Sequence, residues 1–143
     1  MFALIAVQYL FHDGIEAAWR AFRQTGTATA TSGALVHIVP GLLVLAFALW
    51  RLALRLTRGS PPPPAGTPAW MARTAGLIHW ALYALMLLVP ASGAAAWFLG
   101  ATGAGAAHEV LKTLLLVLIG LHVLAVLYHQ IVRRDGLLAR MRP

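Results

Sequence analysis

The chain has 143 residues, 60% apolar and 10% charged, a formal net charge of +7 and no cysteine. A soluble domain carries about 25% charged residues, so most of this surface faces something other than water. The basic residues gather at the ends of apolar segments, which points to a membrane rather than to nucleic acid, and the lack of cysteine excludes disulfides, thiolate catalysis, cysteine-held iron–sulfur clusters and covalently attached haem.

Four apolar stretches follow in order. Residues 1–11 are too short to span a bilayer, which takes about 20 apolar residues. They are expected to be the outer part of a truncated or late-started first helix; a short interfacial segment is the other reading. Within 12–33, the piece GIEAAWRAFRQ reads as a short amphipathic surface helix, with Trp19 and Phe22 dipping into the membrane interface. Residues 34–56, 71–99 and 108–132 are each long enough to cross. The connector 57–69, TRGSPPPPAGTPA, is a linker whose four consecutive prolines lack backbone donors. Residues 100–107, GATGAGAA, read as a small-residue turn. The expected fold class is all-α: one domain over 1–143, an integral membrane up-down helical bundle of three full transmembrane helices plus a partial first helix of a four-helix bundle.

Alternating spans put eight of the eleven basic residues on the linker side: Arg51, Arg55, Arg58, Arg73, Arg133, Arg134, Arg140 and Arg142. Arg20, Arg23 and Lys112 fall on the other side, together with Asp13, Glu16 and Glu109. The positive-inside rule then predicts a cytoplasmic linker and a cytoplasmic C-terminus.

The chemistry lies in the histidines. His37, His79, His122 and His129 fall inside apolar segments, and His108 opens one. Ionisable groups inside spans are costly and face a partner or a cofactor. His108 and His122 are 14 residues apart, nearly four turns, so they share one helix face about 21 Å apart. His37 matches His108 in depth near the outer surface. Two neutral imidazoles on facing helices can clamp a haem iron, and this is the first pair to expect. His79 matches the depth of His122 and is its geometric candidate partner. His129, seven residues beyond His122, reads as a quinone contact or as a packing residue. His12, beside Asp13 at a helix end, reads as a hydrogen-bonded packing residue. Zinc would need clustered ligands, and copper transport would bring Met or Cys clusters; neither pattern is present.

These residues also carry a resemblance. The segment HEVLKTLLLVLIGLHVLAVLYHQIVRRDGLLARMRP resembles the last helix and tail of the bacterial cytochrome b561 family, with its His-x13-His spacing, a third His seven residues on, and the tail RDGLLARM. LVHIVPGLLVLAFALWRLALRL is similar to that family's second helix, and GLIHWALYALMLLVPASG to its third. The resemblance covers roughly residues 34–143. It implies a four-helix bundle of the bacterial inner membrane holding two b haems, with His37 and His108 as ligands of the haem nearer the periplasm and His122 as a ligand of the other. In the family, the partner of His122 comes from the start of the first helix, where this sequence has no histidine. Either the chain is truncated, or its inner haem is lost, or His79 substitutes; the expectation is one haem b in this chain, against two in the complete pattern. Arg51, Arg55 and Arg73 are placed either to meet haem propionates or a quinone headgroup, or to anchor helices at the lipid headgroups. Ser92, Gly93 and Gly120 read as sites of close packing or of room for a flat macrocycle.

The expected function is transmembrane electron transfer between a periplasmic donor and the quinone pool, with ubiquinone as a second cofactor. Two alternatives stand beside it: oxidation of superoxide or another small reductant with quinone as acceptor, and a cofactor-free membrane anchor subunit. The expected partners are the lipid bilayer, quinone, an electron donor, and a second copy or a larger redox complex, with no nucleic acid.

Overall fold

The computed structural model describes residues 1–60, 62–63 and 66–133. Five α-helices form in order: α1 (Phe2–Leu10), α2 (Asp13–Thr25), α3 (Ser32–Arg58), α4 (Ala69–Leu99) and α5 (Thr102–Tyr128). A π-helical turn, His129–Arg133, continues α5. The tail RDGLLARM lies outside the described residues.

Local chemistry sets the ends. Asp13 and Glu16 stand in the first turn of α2 and Arg23 in its last, each favoured by the helix dipole. Gly26 closes α2 at φ 71°, a left-handed position that glycine adopts without penalty. The Thr31 hydroxyl caps α3 by accepting from the Ala34 amide at 3.2 Å, a standard N-cap arrangement. Pro68 directly precedes α4, and Gly100 ends it at φ 66°.

Helices α3, α4 and α5 are long and apolar enough to cross a membrane. At 27 residues, α3 is about 40 Å long. Only 6% of the most apolar window of α4, and the same of α5, is buried within the chain. Large apolar side chains on all three therefore face outward, as lipid requires and water would not tolerate. The buried core is small: Ile5, Ala18, Ala34, Val44, Ala48, Ala96 and Leu115. Helices α4 and α5 form a hairpin and pack together more extensively than any other pair. Helix α3 packs on α4, and α1 and α2 pack on α3. The α4–α5 connection, α2 and the start of α3 thus gather at one end of the bundle, here the turn end; the Pro-rich connector marks the linker end.

Two expectations change in detail. The small-residue segment is not all turn: α5 starts at Thr102, because its alanines favour helix, so His108 lies well inside α5. Trp19 and Phe22 stack on each other at 5.1 Å and turn inward instead of into the interface. A Cβ on Gly105 would meet Trp19 Cζ2 at 2.8 Å, and one on Gly100 would meet Phe22 Cζ at 3.4 Å. The two glycines thus receive the rings and seat α2 across the turn end.

Helix α2 also meets α3 backbone to backbone. A Cβ on Gly14 would stand 2.6 Å from the Gly33 Cα, and no side-chain rotation can relieve that clash. Gly14→Ala is expected to destabilise the fold by about 1–3 kcal/mol, seen as a lower thermal midpoint in detergent. An unchanged midpoint would mean that α2 and α3 separate freely.

Candidate functional site

The structure brings the histidines together in two pairs. At the turn end, His37 of α3 and His108 of α5 face each other with ring centroids 6.2 Å apart and planes at 75°. Toward the linker end, His79 of α4 and His122 of α5 lie 5.4 Å apart at 64°. Both pairings are the ones that depth along the helices predicts. Their surroundings differ: α3 and α5 barely touch, so the first pair spans a gap, whereas the second sits between the two most closely packed helices.

Each ring of the first pair is held by its own surroundings. His108 Nδ1 lies 2.8 Å from the Val89 carbonyl. A carbonyl only accepts, so Nδ1 carries the proton, and Nε2 is left as the atom able to bind a metal. The Ser92 hydroxyl donates to the same carbonyl at 2.8 Å. Gly93 makes room for the ring, since a Cβ there would meet His108 Cε1 at 3.0 Å. His37 Nδ1 is buried and has no hydrogen-bond partner; the Gln8 backbone runs beside this ring. A cleft of about 120 Å³, partly open to the outside, adjoins the pair. Gly41, Gly93 and Gly105 line it with bare backbone, and Trp19, Trp97 and Ile38 with apolar side chains.

A polar chain borders the cleft. Lys112 Nζ donates to Glu109 at 2.7 Å and to His12 Nε2 at 3.1 Å. His12 Nδ1 stands 3.9 Å from Glu16, and the Tyr9 hydroxyl donates to the Lys112 carbonyl. His12 is thus a hydrogen-bonded residue, as its helix-end position suggests, and it ties the start of α2 to α5. The sequence does not announce its partnership with Lys112, 100 residues away.

The remaining candidates are spread out. Arg51 is exposed, whereas Arg55, one turn later, lies over the rings of Trp80 and Tyr83. His129 opens the π-helical turn at the linker end with its ring against Tyr128 at 6.0 Å. Arg73 is exposed, and a Cβ on Gly120 would meet nothing within 4 Å, so Gly120 provides no close approach within the chain.

Three helices long and apolar enough to cross a membrane, with imidazoles paired between them, define a helical membrane protein. The sequence matches the prokaryotic cytochrome b561 family over residues 1–143, and the chain belongs to that family. It is 37% identical to cytochrome b562 of Cereibacter sphaeroides, over 96% of this chain and 85% of that one. It is 27% identical to a probable superoxide oxidase CybB of Yersinia pestis, over 76% of this chain and 74% of that one. No solved structure matches. The protein is therefore a multi-pass bacterial membrane cytochrome of b type that takes part in electron transfer.

The turn-end residues fit a haem. Two imidazoles bound to one iron from opposite sides, with metal–nitrogen bonds of about 2 Å, hold their centroids roughly 6 Å apart. His37 and His108 stand at that separation, across a gap between helices and beside a cleft edged by glycine. The buried His37 Nδ1 has no hydrogen-bond partner, which leaves on this ring a nitrogen that the protein itself does not satisfy and that a bound group would.

Proposed function

We propose that this chain passes single electrons through one b-type haem held by His37 and His108, between a donor that docks at the turn end and the quinone pool. The carrying observation is the turn-end pair: two facing imidazoles 6.2 Å apart, one with its Nδ1 proton committed to Val89. A bound haem supplies the one-electron redox chemistry. The residues of this chain do the rest. Val89 fixes the His108 tautomer and ring plane, Gly93 leaves the ring its place, and Trp19 and Ile15 of α2 shield the cleft from bulk water. Lys112 and His12, at its polar margin, are the groups we assign to the haem carboxylates. Positive-inside topology supports a periplasmic turn end and a cytoplasmic C-terminus.

His122 occupies the family position for a second haem, and His79 is the imidazole placed to partner it. The two rings lie 5.4 Å apart between the two most closely packed helices. We therefore assign no haem to that pair.

The test uses haem-loaded protein in liposomes containing ubiquinone. After chemical reduction, the haem is expected to be reoxidised on adding ubiquinone and re-reduced by ubiquinol. Absence of exchange in both directions would overturn the quinone link. A second reading, oxidation of superoxide to dioxygen with the electron passed to quinone, is favoured by the name of the Yersinia pestis relative. It calls for haem reduction by enzymatically generated superoxide without any protein partner.

A further inference from the structure

The linker end holds a cation that the haem at the turn end does not use. Arg55 stands on the last turn of α3. Arginines at the ends of spanning helices normally run their heads out to water. Here the side chain is half-buried, with its guanidinium carbon 5.1 Å from the Trp80 ring centroid and 5.5 Å from that of Tyr83. Side chains lean toward the N-terminus of their own helix, which sends Arg55 back into the bundle from its end. The two rings rise to meet it from α4. Arg55 also lies close enough to act electrostatically on His79.

Stacking satisfies the face of a guanidinium and leaves the N–H donors at its edge. Among the described residues no acceptor meets them. The described ion pairs, His12–Glu16, Arg20–Glu16 and Lys112–Glu109, all lie at the turn end. Of the four acidic residues, Asp13, Glu16 and Glu109 belong to that end, and Asp135 lies outside the described residues. Arg51, Arg55, Arg58 and Arg73 thus share the linker end with no described carboxylate. A fixed cation at membrane depth calls for a counter-charge, and a planar guanidinium held by its face offers a two-pronged edge suited to oxyanions.

We propose that Arg55, braced by Trp80 and Tyr83 beside His79, binds an oxyanion, the phosphate of an anionic lipid. This goes beyond the turn-end reading and does not depend on it. The test reconstitutes the full chain in nanodiscs of mixed phosphatidylglycerol and phosphatidylcholine, then measures retained phosphatidylglycerol by native mass spectrometry and haem per chain by pigment extraction. Arg55→Gln is compared with Arg58→Gln, an exposed arginine on the same turn. Loss of retained phosphatidylglycerol by about tenfold in Arg55→Gln alone, with haem unchanged, identifies a lipid phosphate. A selective loss of haem at unchanged lipid overturns the lipid assignment. Identical behaviour of the two variants in both readouts overturns it. A gain of lipid in Asp135→Asn also overturns it, since the chain's own carboxylate would then occupy Arg55. If Arg55→Gln does not fold, Arg55→Lys is read instead: a loss greater than twofold supports the site, and wild-type retention overturns it.

Discussion

Replacing His37 by alanine is expected to strip the chain of haem, with a fall of at least about tenfold in pigment per chain, as even outer-shell partners of a metal site are worth 10–100-fold. His37 stands alone on its side of the gap: α3 offers no second imidazole at that depth, and His12 is engaged with Lys112. Losing one ligand therefore leaves His108 to hold the group unaided. The fold should survive, because His37 is not among the residues that make the buried core. The check is haem extracted from variant protein whose helical content by circular dichroism matches wild type. Wild-type haem content would remove His37 from the site.

A second large effect is expected from Gly93→Val, a residue that binds nothing. The first added carbon would stand 3.0 Å from His108 Cε1 and 3.1 Å from Nδ1. The ring cannot retreat without breaking its 2.8 Å bond to Val89. Two further methyl carbons extend the clash into the cleft that Gly93 lines. Overpacking of this kind costs about 1–3 kcal/mol, and here the strain falls on the ligand itself. Haem content should drop severalfold, and the remaining pigment should show an altered absorbance maximum. Gly120→Val is the matched comparison, since a Cβ there meets nothing within 4 Å; it should bind haem as wild type does. Equal haem in the two variants would mean that Gly93 does not shape the site.

The pairing of His37 with His108 and of His79 with His122 was legible because helix geometry is regular. A residue number converts to a depth and a face, and two antiparallel or crossing helices then match by depth alone. The three spans were legible for the same reason, from runs of apolar residues. What sequence could not supply is whatever depends on the gap between helices. That α3 and α5 stand apart while α4 and α5 close up sets the two imidazole pairs in different surroundings, and no periodicity encodes it. The Val89 carbonyl was invisible because it is backbone. Lys112 looked like one more charge in a topology count; only the fold brings it to His12. Trp19 and Phe22 carry the pattern of an interfacial helix, yet Gly100 and Gly105 take their rings, a contact that needs the α4–α5 connection in place. Residues 102–107 joined α5 because alanine-rich sequence continues a helix wherever packing supports it. Arg55 differs from Arg51 through Trp80 and Tyr83, three residues apart on one face of α4, a spacing visible in the sequence whose target was not.

The most direct test of the account is haem stoichiometry with coordination state on detergent-purified wild-type protein, by pigment extraction combined with electron paramagnetic resonance. The account calls for one haem per chain, six-coordinate and low-spin with two imidazole ligands, lost in His37→Ala. Folded protein supplied with haem that binds none, or that binds a haem indifferent to both His37 and His108, would contradict it.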